Sequence, residues 1–291
     1  MTDLGGRGAV VVGGSRGIGA AVAALLAELG AGVVVNGRDE DAVAATVDTI
    51  TAAGGSAVGL PGSASEEPLA QALIRLCEKE FGVLSCLVNC AGVAEPAGSS
   101  ILTVTHREFD DLLDAHLGTV FATCRAAAPR MVAAGGGSII NTSSFAFLGD
   151  YGGTGYPAGK GAVNGLTMAL AAELREHGVR ANAVCPGART RLSSGADYED
   201  HIDTLRRRGL LNEVTAAGAL DPGAPEYAAP IYAYLASDLS RDVSGEIFIA
   251  AGGFIGRFDR PSPQPLGYRD HHTAPPWSLG EISDMLSVNT S

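Results

Sequence analysis

The chain has 291 residues, 46% of them hydrophobic, and a formal net charge of −12. That suits one large α/β domain with a sizeable buried core. The acidic balance disfavours nucleic acid and anionic membranes as partners. No apolar run is long enough to cross a bilayer, and residues 1–8 lack the pattern of a secretion signal, so a cytoplasmic protein is expected.

Strands and helices are expected in alternation. Short β-branched runs at 9–12, 33–35, 57–60, 84–88, 138–141, 180–184 and 246–249 suit strands buried on both faces. Between them, 18–29, 39–53, 66–81, 107–133 and 158–177 carry helical spacing, and Gly30, Gly54 and Gly178 stand where helices should end. The alternation predicts a doubly wound, seven-stranded parallel sheet with helices on both faces, over residues 1–255. Ligands of such sheets bind beyond the C-terminal strand ends. Residues 188–224 interrupt the pattern with a charged helical insertion, a candidate lid. Residues 256–291 read as a proline-rich tail with Trp277 and a short helical run, 279–286.

Cys77, Cys86, Cys90, Cys124 and Cys185 are odd in number and lack metal-type spacing. They read as reduced structural thiols. His271 and His272 read as a surface pair, and no metal site is expected.

The first turn, Gly13-Gly14-Ser15-Arg16-Gly17-Ile18-Gly19, follows a strand and opens a helix. Glycines let backbone approach a pyrophosphate, and the helix N-terminus offers free N–H groups to it. NAD sites usually place an acid just after the second strand. Here Asn36 and Gly37 stand there, followed by Arg38. Arg38 and Arg16 suit the 2′-phosphate of NADP(H), because guanidinium pairs with phosphate in a bidentate way. The bland reading of both is a solvated surface arginine.

Ser144 ends the fifth strand, and Tyr156-x-x-x-Lys160 opens the next helix with both side chains on one face. Tyrosine is a poor acid at neutral pH. A lysine one turn away and an oxidised nicotinamide both favour its phenolate. A tuned Tyr156 can then exchange a proton with a carbonyl or alcohol oxygen that Ser144 holds.

With the glycine turn, Asn89-Cys90-Ala91-Gly92, Pro186-Gly187 and the stretch from Ser244-Gly245-Glu246 to Gly252-Gly253, these motifs resemble the short-chain dehydrogenase/reductase family over most of the chain. The resemblance implies that Tyr156 is the proton donor or acceptor. Lys160 would bind the nicotinamide ribose and lower the tyrosine pKa, and Ser144 would orient the substrate oxygen. Ser144 lies one residue closer to Tyr156 than the family spacing, so Ser143 stands as its alternative. The implied cofactor contacts are Gly13, Ser15, Arg16, Gly17, Ile18, Gly19, Arg38, Ser63, Asn89, Ala91, Gly92, Tyr156, Lys160, Pro186, Gly187 and Thr190. Ser63 stands where an aspartate usually meets the adenine, and Cys90 replaces a second asparagine.

His116 stands where the family carries an active-site asparagine. It reads as a neutral relay residue near Lys160 or as packing. This position, the run 186–192 and Trp277 resemble the dehydrogenase part of multifunctional hydroxyacyl-CoA enzymes. The resemblance also implies a homodimer or homotetramer through the helices that hold Leu112 and Tyr156. The expected substrate is a small-molecule or carrier-bound ketone, with a 3-oxoacyl thioester, a polyketide or other secondary-metabolite ketone and an alicyclic ketone all open. Arg206-Arg207-Arg208 reads either as a contact for a carrier or CoA phosphate or as a solvated helix face. The alternative from another class is a non-catalytic NADP(H) sensor or scaffold.

Overall fold

The computed structural model describes residues 4–96, 98–191 and 193–288. Strands β1 (Gly8–Val12), β2 (Gly32–Gly37), β3 (Ser56–Pro61), β4 (Leu84–Asn89), β5 (Gly137–Thr142), β6 (Val179–Gly187), β7 (Ile247–Ala251) and β8 (Phe254–Phe258) form one sheet. Their order is β3-β2-β1-β4-β5-β6-β7-β8. The first seven run parallel, as the repeating strand–helix pattern implies. Order reverses between β1 and β4, which opens the crevice where such sheets take ligands.

The eighth strand corrects the expected count of seven. Ala251 pairs with Phe254 and Ile247 with Phe258, so β8 folds back antiparallel on β7 across Gly252-Gly253. The glycine pair serves as a two-residue hairpin turn as well as a family signature. The compact unit therefore runs through Phe258, beyond the boundary read at 255.

Helices cover both faces. Helices α1 (Gly17–Glu28), α2 (Glu40–Ala52), α3 (Glu67–Phe81), α4 (His106–Leu113), α5 (Thr119–Ala133) and α6 (Gly155–Glu173) are joined by α7 (Ala196–Arg207), α8 (Glu213–Leu220) and α9 (Ala229–Ala236). One core lies under α1 and α9, built on Val11, Val33, Val35, Leu26, Tyr232 and Leu235. The other lies under α3, α5 and α6, built on Val10, Val34, Leu73, Leu87, Ile139 and Val163. Alternate valines of β1 and β2 feed opposite cores, because successive strand residues face opposite sides. The helix expected at 107–133 contains a π-turn, Asp114–Gly118, in which the Thr119 N–H reaches back to the Asp114 carbonyl.

Residues 259–291 form a second compact unit. Within it, helix α10 (Leu279–Val288) begins with a reciprocal cap: Glu281 N–H donates to Ser278 Oγ, and Ser278 N–H donates to Glu281 Oε2. Arg269 stacks over the Trp277 ring at 3.8 Å and pairs with Glu281. Among the described residues no helix is long and apolar enough to cross a membrane.

Candidate active site

The glycine turn is held by contacts that only glycine permits. A Cβ on Gly19 would lie 2.1 Å from the Gly13 carbonyl oxygen, and one on Gly13 would lie 2.5 Å from the Ala91 nitrogen. These contacts draw the turn against Ala91 after β4. Gly17 has φ +53, and its missing Cβ faces Thr190 Cγ2 at 3.3 Å. Thr190 therefore joins the turn from the far side of the crevice, while Ile18 packs on the first core. Helix α1 has no side-chain cap at Arg16, so its first amides have no side-chain acceptor there. A pyrophosphate fits such a cradle.

At the adenosine end, a Cβ on Gly37 would lie 2.3 Å from Ser15 Oγ. Any side chain at 37 would collide with Ser15, which explains the missing acid. Asn36 is turned inward, and its amide donates to the carbonyls of Leu60 and Gly62. Ser63, just beyond, contacts Ser65 at 3.2 Å. Arg38 is exposed and no ion pair is formed by it among the described residues. Arg16 is paired instead: its Nη2 lies 2.5 Å from Asp39 Oδ2. Asp39 also accepts from Ala42 N–H and caps α2. The Arg16 hydrogen bond is the main reason its carboxyl sits below the usual range, with Ala42 second and Arg191 a smaller contributor. Arg191, which the motifs did not single out, thus reaches this end from the loop after β6.

The catalytic candidates meet beyond β5 and β6. Ser143 is buried, and its hydroxyl donates to the Lys160 carbonyl at 3.3 Å. Ser144 is more open, caps the short helix that follows and lies beside Tyr156, whose hydroxyl it helps to ionise. Of the two serines, Ser144 is the one beside Tyr156. Lys160 is buried, and its Nζ donates to the Thr142 carbonyl at 2.9 Å and lies 5.6 Å from the Tyr156 ring centre. Burial pushes the ammonium down to about 8. Burial also pushes the Tyr156 hydroxyl up, although its ring is partly open, and this outweighs Ser144. The phenolate expected from the Tyr-x-x-x-Lys spacing is thus not favoured by these side chains alone.

His116 is fully buried in the π-turn, with its ring edge-on to Tyr156 at 4.7 Å. A Cβ on Gly92 would lie 3.0 Å from its Cε1 and 3.8 Å from Lys160 Nζ, and one on Gly159 would lie 3.2 Å from its Cβ. Two glycines therefore make room for an imidazole beside the lysine. Burial, then Lys160, lower its pKa to about 3. Neither ring nitrogen has a hydrogen-bond partner; the Val93 backbone opposes the shift yet falls outside bonding geometry. Asn89 behaves differently. It donates to Asn141 at 2.9 Å and accepts from Thr123 at 2.8 Å, and Asn141 donates to Thr167. Its side chain is spent inside the protein, so it braces β4, β5, α5 and α6 rather than reaching the crevice.

The insertion carries its own small core of Ile202, Leu205, Leu211 and Ala216, packed with Tyr151 and Tyr198. His201 Nε2 contacts the Tyr151 carbonyl at 2.8 Å, tying α7 to the segment between Ser144 and Tyr156. Arg206 pairs with Asp203 and Glu213, and Arg207 with Asp203, which favours the solvated-face reading of that run. Pro186 and Gly187 end β6, with Gly187 packed against Ala251. The five cysteines are free; Cys90 lies 3.2 Å from the Thr142 hydroxyl. Among the described residues, Asp270, His271 and His272 are the one group with metal-ligating atoms within 4.8 Å of one another. All are exposed, and Asp270 already accepts from His272 N–H and Thr273 Oγ1.

Glu95 escaped sequence reasoning. Its carboxylate accepts from the backbone N–H groups of Thr154, Gly155 and Tyr156 and from Ser99 Oγ. No periodicity or motif marks such a contact between segments so far apart.

A family profile described as "Enoyl-(Acyl carrier protein) reductase" matches residues 12–255. The chain is 36% identical over 248 residues to "Short-chain reductase protein NovJ" of Streptomyces niveus, covering 84% of this chain and 92% of that protein. It is 36% identical over 247 residues to a "3alpha-hydroxysteroid dehydrogenase" of Mediterraneibacter gnavus, covering 84% and 95%. The crystal structure of a short chain dehydrogenase from Mycobacterium avium superposes with a TM-score of 0.79 at 34% identity, covering 97% of this chain and 95% of that one.

Proposed function

From the premise that this chain belongs to the short-chain dehydrogenase/reductase family, we propose that it is an NADP(H)-dependent ketoreductase. The carrying observation is the meeting of Ser144, Tyr156 and Lys160 beside the glycine cradle. Gly13, Ser15, Gly17, Ile18, Gly19, Ala91, Gly92, Pro186, Gly187 and Thr190 would hold a nicotinamide cofactor, which would supply the hydride. Ser144 Oγ donates to the substrate carbonyl. Tyr156 gives its proton to the oxygen as charge develops there, so its high pKa suits the reductive direction. Lys160, fixed by the Thr142 carbonyl, would hold the ribose of that cofactor and feed the proton path. His116 is neutral at pH 7 and offers one donor and one acceptor to a water between itself and Lys160. A non-catalytic sensor needs no such complete set.

Arg38 supports the choice of NADP(H), since it is a cation with no ion pair beside the end of β2. One observation favours a second reading. Asp39 brings a carboxylate to the same end, and a ribose hydroxyl of NAD(H) is what an acid there would hold. The substrate is a 3-oxoacyl or secondary-metabolite ketone, in keeping with the acyl carrier named in the family description; the steroid relative keeps alicyclic ketones in view. Exposed Phe121 on α5 supports a homodimer or homotetramer through α4, α5 and α6, in the cytoplasm. The test is loss of NADPH absorbance across 3-oxoacyl thioesters, polyketide-like ketones and alicyclic ketones. Consumption with at least one ketone is expected; tight NADPH binding with none consumed would make it a binding protein.

A further inference from the structure

We propose that Glu95 is a positioning residue that sets the catalytic tyrosine by capping its helix from a distant loop. An α-helix leaves its first amides without internal acceptors, and a local Ser, Thr, Asp or Asn usually supplies one. Helix α6 has Thr154 at that position, yet the Thr154 side chain makes no cap. Glu95 replaces it. Its Oε1 accepts from Thr154 N–H at 3.1 Å and Gly155 N–H at 3.2 Å, and its Oε2 accepts from Tyr156 N–H at 2.5 Å. The next residue is Pro157, which has no N–H, and Ala158 N–H already reaches the Thr154 carbonyl. One carboxylate therefore satisfies every free amide at the start of this helix.

The surroundings are built for that side chain. Gly153 has φ +78, and a Cβ there would lie 2.8 Å from Glu95 Cδ. Ser99 Oγ donates to Oε1 at 2.8 Å and steadies the carboxylate from its own loop. Pro96 restricts the Glu95 backbone to extended conformations. Partial burial raises the carboxyl pKa, but the donors from Thr154, Ser99, Tyr156 and Gly155 together outweigh it, so the group is ionised at neutral pH.

The consequence concerns the glycine-rich link before Tyr156. Gly149, Gly152 and Gly153 all have positive φ, so that link has little stiffness of its own. Glu95 bonds directly to the Tyr156 amide and fixes where the phenol starts, and His201 holds the same link at the Tyr151 carbonyl. The placement of Tyr156 relative to Ser144 then depends on a residue outside the set of Ser144, Tyr156 and Lys160.

The inference rests on the ketoreductase reading only for its kinetic arm. Glu95→Ala and Glu95→Gln are compared with the parent by amide hydrogen exchange, NADPH affinity and turnover of a reduced ketone. Glu95→Ala should speed exchange in the peptide spanning 152–160 and lower kcat about tenfold or more, with NADPH affinity within about twofold. Glu95→Gln keeps one carbonyl oxygen and should recover part of both losses. Unchanged exchange in Glu95→Ala, or a glutamine variant no better than alanine with cofactor affinity lost in step, would overturn the proposal. If the parent reduces no ketone, the ketoreductase reading fails, and the exchange arm still decides the role of Glu95.

Discussion

At the glycine turn, Gly13, Gly17 and Gly19 act through atoms they lack: a Cβ on Gly19 would meet Gly13 itself, one on Gly13 the backbone at Ala91, and one on Gly17 the Thr190 side chain. At the cluster of Ser144, Tyr156 and Lys160, the Tyr156 amide is held by Glu95, Lys160 by the Thr142 carbonyl, and the preceding link by His201 on α7. The first is a backbone device whose glycines lie within seven residues of chain. The second is held by side-chain-to-backbone contacts that join the Glu95 loop, the end of β5, α6 with its preceding link, and α7. The contrast teaches where change is tolerated: the turn has no room for a side chain at Gly13 or Gly19, while the cluster depends on partners spread over separate elements.

The comparison breaks first at the chemistry. Tyr156→Phe should cut kcat on the order of 10²-fold or more while NADPH binding is retained, because the nucleotide end does not need the phenol. Near-normal turnover would remove Tyr156 from the mechanism. A smaller effect is expected at the adenosine end. Arg38→Ala should weaken NADPH by about 1.5–3 kcal/mol and leave NADH unchanged; adding Arg16→Ser should deepen the loss and release Asp39. Should the NADPH to NADH preference stay put, and Asp39→Ala weaken NADH instead, the NAD(H) reading takes over.

His116 sharpens the contrast with the smallest change. His116→Leu should lower kcat roughly tenfold without weakening cofactor binding, and His116→Asn should keep most activity. Wild-type rates in the leucine variant across pH 6 to 9 would reduce His116 to packing. Its pKa of about 3 adds a second measurement. Between 6.5 and about 3 the unfolded chain binds a proton that the folded chain refuses, so stability rises with pH through that window. Acidification should therefore destabilise the parent more than His116→Asn, read from denaturant midpoints at several pH values. Equal slopes would show that His116 is protonated in the folded state.

The sheet was legible because most of its parallel strands are short apolar runs, fully buried in β1 and β2, that alternate with helices of different period. β8 was not, because Phe254 and Ile255 are exposed on an edge and Gly252-Gly253 reads equally as the end of a motif. That Tyr156 and Lys160 share one helix face was legible from their spacing, and the nearness of Ser144 from its place at the end of β5. The pairing of Arg16 with Asp39 was hidden because the two lie on separate elements and only the fold brings the cap of α2 to the turn. Glu95 was hidden for the same reason. For Asn89 the fold adds the partners that the motif does not name: its side chain is bonded to Asn141 and Thr123 and braces the sheet.

The π-turn at Asp114–Gly118 makes His116 a matter of chain length as well as side-chain identity. A π-turn holds one residue more than the regular helix it interrupts, and such bulges cluster at functional sites. The extra residue rotates everything before it by about a third of a turn relative to α5. Loss of a single residue between His116 and Thr119 would rotate His116 relative to α5 and turn the imidazole away from Gly92 and Gly159. The site is thus open to change by insertion and deletion, a route along which a histidine can arrive beside Lys160 with no codon for it having mutated.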